Sequence, residues 1–418
     1  MQPPPEPPRT RPQALGHSLG TAPFRRLFGS SVTSTLGAAV SLVSVNWIVY
    51  HYTHSAIDIT LLGLTGIGPG IALGLIAGVV ADRYNRRSLM VTADLARMAG
   101  MGTLTVAFLL VGFSLPLILA TMLLVNCFSA LFTPASQAIV PRLVSKESLE
   151  DANGLLQSAS GVAYSAGSAA GGVLVVFLGA AWGLGINALT YALSAMFLLQ
   201  IAGELGRVGR GVTSARPAFR KELSEGMGYV FDHKSIFAAS FGYFPSNFLS
   251  ASVSPFFVVY AGARFGGNAA VYGYLAAALA AGTAVGALLV GRVAARQFAG
   301  VLMGVCLVTE GVCYVVLALS HVLALSLLAA VGDGLTIGFS NTIYYSTIQA
   351  TVPSDMLGRV VSVGDFGSFA AIPAGLVAGG LLIASYGVGN VYLVAGIGIV
   401  ATGAVLLSLR DFRRFGRD

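Results

Sequence analysis

Twelve apolar runs, each roughly 20 residues long, dominate this chain and leave little choice of fold. They fall at about 27–50, 59–81, 90–113, 116–136, 153–178, 181–203, 236–261, 269–291, 298–319, 322–346, 360–385 and 388–409. A helix of about 20 apolar residues just crosses a hydrocarbon layer of ~30 Å. In that layer every backbone N–H and C=O must be paired within the protein, which a helix achieves by itself. With 10% of its 418 residues charged and 55% hydrophobic, the chain lacks the polar surface of a soluble protein this size. It reads as an all-α membrane protein of twelve spans, numbered here in chain order. Its 53 glycines suit helices that approach one another closely in lipid.

Positive residues set the orientation, because short cytoplasmic loops collect Lys and Arg. With the N-terminus inside, Arg25, Arg26, Arg83, Arg86, Arg87, Arg142, Lys146, the basic residues of 207–234, Arg292, Arg296, Arg359 and those of 410–417 all fall on the inner side. Only Arg264 falls outside. One missed span would scramble this pattern, so both termini are expected in the cytoplasm. The net charge of +7 then reflects topology and attraction to anionic lipid, and nucleic acid is not an expected partner. Residues 1–24 are proline-rich and read as a disordered tail with no cleavable leader, and 411–418 as a short basic tail. Cys127, Cys306 and Cys313 all lie inside apolar runs and read as small hydrophobes.

The chain contains a repeat. Gln-Ala-x-Val-Pro at 137–141 recurs at 349–353, a spacing of 212 residues, once after span 4 and once after span 10. Six crossings separate the two copies, so the halves have parallel orientation, related by an axis along the membrane normal. The expected domains are a six-span bundle at 25–203, a cytoplasmic linker at 204–235 and a second bundle at 236–410. Within the linker, Phe219, Leu223, Met227 and Val230 share one face after Pro217, the pattern of an amphipathic surface helix.

Charge concentrates between spans 2 and 3, where GVVADRYNRR supplies Asp82, Arg83, Arg86 and Arg87 within six residues. Gly78, Ala81 and these four resemble the loop signature of the major facilitator superfamily, Gly-x-Leu-Ala-Asp-Arg-x-Gly-Arg-Lys/Arg. Val80 replaces its leucine and Asn85 its second glycine. Asparagine tolerates a left-handed backbone, so a tight turn is expected at Asn85. The matching stretch of the second half, GALLVGRVAARQF, keeps glycines and arginines but has no acid. The resemblance covers 25–410, and LFTPASQAIVPRLVSKESLEDANGL looks like the branch of bacterial macrolide, multidrug and siderophore exporters.

That resemblance implies two six-helix bundles that rock around a central site, with spans 1, 4, 7 and 10 lining it. It also implies a latch, in which Asp82 docks on the cytoplasmic start of span 11 in the outward-facing state. A carboxylate near a helix N-terminus gains ~0.3–1 kcal/mol at an exposed site. Arg83, Arg86 and Arg87 would reach carboxylates of the opposite half, Asp365 among them, or lipid phosphates.

Ionisable groups deep in apolar spans are functional candidates. Asp333, between two glycines in span 10, is favoured for proton coupling over Glu310 in span 9, which the family arrangement makes peripheral. Asp94 and Arg97, one turn apart in span 3, read as a structural ion pair. Asn46, Trp47, Tyr50, Asn126, Tyr243, Asn247 and Thr342 are candidate cavity residues, suiting bulky amphipathic solutes. Two features of drug:proton antiporters are missing, since span 4 has no cation and span 1 no acid. In the antiporter motif of span 5, Gly167-Ser168-Ala169-Ala170-Gly171-Gly172 carries serine in place of proline.

No cofactor is expected. GIGPG at 66–70 lies inside a span without the strand–helix context of a dinucleotide loop, and no P-loop occurs. His51, His54 and Asp58 lack a fourth ligand for metal. The sequence therefore reads as a monomeric, multi-pass secondary transporter of a bacterial inner membrane, not an enzyme. Proton-coupled efflux of a drug, macrolide-like metabolite or siderophore is the leading reading. An importer or flippase is the alternative within transporters, and a receptor, scaffold or intramembrane enzyme the alternative outside them.

Overall fold

The computed structural model describes residues 21–145, 148–202, 219–267, 269–290, 296–353 and 356–417. Most of the N-terminal tail, residues 203–218 with Pro217, and the side chains of Gly78, Asp82, Phe219 and Leu223 lie outside that description. The described residues are almost wholly helical and contain no strand. Among the described residues, twelve helices are long and apolar enough to cross a membrane: Ala22–Thr53, Ala56–Leu73, Arg86–Val111, Leu115–Arg142, Asp151–Phe177, Ala180–Leu199, Lys234–Phe265, Ala270–Val290, Ala299–Leu319, Leu323–Thr351, Leu357–Tyr386 and Val388–Ser408. These are spans 1 to 12.

Two spans expected to be continuous are broken. Span 7 runs as Lys234–Phe241, Phe244–Ala251, a short 3₁₀ turn and Phe257–Phe265. Span 11 runs as Leu357–Phe369 and Ile372–Tyr386. Pro245, Pro255 and Pro373 each sit at the start of the segment after a break. A proline there needs no amide bond, whereas inside a helix it removes one and clashes with the preceding turn.

The turn at Asn85 is also unlike the expectation. Its backbone is extended, φ −61° and ψ 115°, and its side chain accepts a hydrogen bond from Ser88 N at span 3's N-terminus. Asparagine serves here as a helix cap, satisfying one of the free N–H groups, and not as a left-handed turn residue.

The residues cluster into two compact units. The first holds residues up to 41, 68–167 and 181–210. Its core lies around Phe24, Leu27, Met90, Phe132, Ile139 and Leu198, all buried. Arg86 donates to Ala138 O at 2.8 Å, and Arg87 to Leu198 O at 3.1 Å and Leu199 O at 2.6 Å. Two arginines expected to reach the opposite half or lipid thus cap the C-terminal carbonyls of spans 4 and 6. Helix ends leave such carbonyls free, and a cation there also meets a favourable dipole.

The second unit holds 42–67, 168–180 and everything from 211 onward. It therefore includes the C-terminal parts of spans 1 and 5 and the N-terminal part of span 2. Trp47 stacks on Tyr272 with ring centroids 6.4 Å apart, and Gly172 meets Gly273 backbone to backbone. Spans 8 and 10 pack through Gly282 and Gly286 on one side and Gly334 and Gly338 on the other, where any Cβ would collide with the facing backbone. The linker helix Phe219–Asp232 docks on span 11, with Glu225 bonded to Arg359 at 2.5 Å and Gly226 against the Arg359 backbone. On that helix Val230 is buried while Met227 is exposed.

Candidate substrate cavities

Each unit contains a cavity, and in both the walls are polar stripes on apolar helices. In span 4, Ser129, Thr133, Ser136 and Gln137 follow at helical spacing, and in span 5 Asn153, Gln157, Ser160 and Tyr164 do the same. With Ser31, Ser34 and Thr35 of span 1 they line an open cavity of about 620 Å³. The second cavity, about 210 Å³, is lined by Tyr243, Ser246, Asn247 and Ser250 of span 7 and by parts of spans 9, 10 and 11.

The two are related by the repeat. Adding 212 to a residue number carries Ser31 to Tyr243, Ser34 to Ser246, Thr35 to Asn247 and Ala38 to Ser250. It carries Ser129 to Asn341, Phe132 to Tyr344, Thr133 to Tyr345 and Asn153 to Asp365. All of these line their own half's cavity. Duplication thus preserved two cavities while their chemistry diverged.

Arg97 lines the first cavity and is 5% exposed. Its guanidinium lies 4.5 Å from the ring centres of both Phe132 and Tyr191, within cation–π range. It pairs with Asp94, which is fully buried and accepts a second bond from Ser194 Oγ at 2.6 Å. Ser194 continues to Ser30 at 2.7 Å, so the network ties spans 1, 3 and 6 together. The pair read from spacing is present, but its place on a cavity wall was missed. The polar stripes of spans 4 and 5 were the signal that could have revealed it.

Glu310 lines the second cavity, beside Ser250 and Ser340, and is 9% exposed. Span 9 is therefore a wall of this cavity and not peripheral to it. Asp365, also on the wall, accepts from Tyr345 Oη at 2.9 Å. Asp333 is placed differently. It is fully buried, lies on neither cavity wall, and neither carboxyl oxygen has a hydrogen-bond partner among the described residues.

Of the other candidates, Tyr243 and Asn247 line the second cavity, bonded to Met303 O at 3.0 Å and Ser368 O at 2.8 Å. Asn46, Asn126 and Thr342 turn back onto their own helices, donating to Leu42 O, Met122 O and Gly338 O, each at 2.8 Å. Trp47 and Tyr50 are buried, Tyr50 against Gly262. None of these five lies on either cavity wall.

The profile of a family described as transmembrane secretion effectors, of major facilitator type, matches residues 17–414. The chain belongs to that family. Its members are transporters and not enzymes, so this chain is a multi-pass membrane transporter of a small molecule. It is 24% identical to macrolide efflux protein A of Streptococcus pyogenes, over 94% of this chain and 96% of that one. It is 26% identical to the multidrug efflux pump Tap of Mycobacterium tuberculosis, over 92% of each. Among solved structures it resembles a bacterial homologue of the lysosomal transporter Spinster, inward-facing and unoccupied, with TM-score 0.70 and 17% identity over 95% and 97% of the chains. The nucleoside transporter NupG matches at TM-score 0.71 with 12% identity, over 92% and 99%. The fold of this family member is that of the major facilitator superfamily.

Proposed function

We propose that the chain exports an amphipathic small molecule in exchange for protons, by alternating access, across a bacterial inner membrane with both termini cytoplasmic. The observation that carries the reading is Glu310, a buried carboxyl on the wall of a polar cavity. An intramembrane acid is costly unless it has a function, and a cavity gives protons a route to it. The efflux direction rests on likeness to macrolide and multidrug efflux proteins over nearly the whole chain. Asp333, sealed among helices, is the weaker candidate for coupling. The latch is kept for Asp82, with Arg86 and Arg87 holding the loop's base to spans 4 and 6.

The test uses purified protein in proteoliposomes under an imposed pH gradient, with a panel of macrolides, amphipathic dyes and siderophores. Uphill movement of at least one compound against proton flow supports the proposal. Movement only along with protons makes the chain an importer, and movement indifferent to the gradient removes the coupling.

A further inference from the structure

The first-half cavity has the size of a ligand site and an unusual lining. At about 620 Å³ it falls in the ~300–1,000 Å³ range of small-molecule pockets, whereas the second cavity, at about 210 Å³, falls below it. Thr133, Gln137, Asn153, Gln157 and Ser160 present hydroxyls and amides from two spans, groups that both donate and accept. The cation on its wall, Arg97, is already balanced by Asp94. A second anion would have to displace a carboxylate that Ser194 also holds, and a cation would meet the guanidinium. Breaking a buried pair by taking away one partner leaves an uncompensated buried charge, so neither exchange is favoured. What remains is an uncharged ligand group with many oxygens.

We propose that the first-half cavity is the subsite for an uncharged, hydroxyl- and ether-rich portion of the substrate, a glycosyl unit being the simplest example. Arg97 acts as a positioning residue, holding Phe132 and Tyr191 in place beside the polar stripes. The cavities then divide the labour, the larger recognising substrate and the smaller, with Glu310, exchanging protons. This rests on the transport reading above.

The test is equilibrium binding by calorimetry to the full chain in lipid nanodiscs. The probes are digitoxin and its aglycone digitoxigenin, both uncharged and differing only in sugars. The net gain of one or two hydrogen bonds predicts that the glycoside binds about tenfold tighter than its aglycone. Gln157→Ala and Thr133→Ala, both on the cavity wall, lower glycoside affinity more than aglycone affinity and so abolish the preference. Asp94→Asn with Arg97→Gln removes both charges together, leaves none unpaired, and reduces the preference. Glu310→Gln retains it. Equal binding of glycoside and aglycone, or no binding of the glycoside, overturns the proposal. Equal binding together with aglycones that still move against a pH gradient leaves export standing while the subsite falls. A glycoside preference without any transport does the reverse.

Discussion

Arg97 in span 3 and Glu310 in span 9 lie 213 residues apart (310 minus 97), one more than the repeat spacing, and each is a buried ionisable side chain on its own half's cavity wall. One cavity holds a cation balanced in place by Asp94, and the other two carboxyls, Glu310 and Asp365. A duplicated scaffold has thus acquired opposite chemistry on its two cavity walls, at positions one residue out of register. A substrate site and a proton site can then coexist without competing for one charge.

Replacing the sealed acid separates its role from that of the cavity acid. Asp333→Asn keeps the shape of a side chain that lies on neither cavity wall and removes only its electrostatic interaction with Glu310, so gradient-driven transport should survive within about threefold, a barrier change under ~1 kcal/mol. Loss of transport in a stably folded Asp333→Asn protein would return coupling to span 10.

The loop acid tests the latch. Asp82→Asn should lower transport several-fold while membrane abundance, measured by quantitative blotting, stays unchanged. An interaction near ~0.3–1 kcal/mol is enough to shift two nearly balanced states without affecting folding. Unchanged transport sinks the latch.

The arginine caps are structural. Arg87→Ala strips two carbonyls at the end of span 6 of their donor. Hydrogen bonds from a charged group contribute ~1.5–3 kcal/mol, so the melting temperature in detergent should fall clearly. Glu225–Arg359 is partly exposed, at 39% and 32% of the side chains. Arg359→Ala should therefore lower stability by no more than ~1 kcal/mol, and the loss should shrink as salt rises. A salt-independent loss of several kcal/mol would show that the linker helix depends on something besides this pair.

The glycine seam between spans 8 and 10 should tolerate no bulk. Gly338→Val forces a side chain into the Thr283 backbone. Overpacking costs ~1–3 kcal/mol where the partner can move, and more where it is backbone. Folded yield by size-exclusion chromatography should drop, while Gly358→Ala, with open space around it, should leave the yield unchanged.

Spans, repeat and family loop were legible because each is written in consecutive residues. Twenty apolar positions, a five-residue element at a fixed spacing and a dense charge cluster need no tertiary knowledge. The breaks in spans 7 and 11 were also written there, in Pro245, Pro255 and Pro373, but apolar length outweighed them. Arg86 and Arg87 could not be placed, since their partners are backbone carbonyls over 50 and over 110 residues away. Asn85 was read by its tolerance for left-handed backbone when its capping preference decided. Asp333 and Glu310 were ranked by helix number, yet what distinguishes them is which face of the helix meets a cavity. The polar stripes of Ser129 to Gln137 and Asn153 to Tyr164 carried that information at helical spacing.

The most direct measurement is of protons themselves. Proteoliposomes with a trapped pH-sensitive dye, no initial pH gradient and an imposed substrate gradient should show protons moving opposite to substrate in the wild type. In Glu310→Gln that proton signal should vanish while substrate binding remains. Substrate movement without any proton movement, or an undiminished proton signal in Glu310→Gln, would contradict proton exchange at this carboxyl.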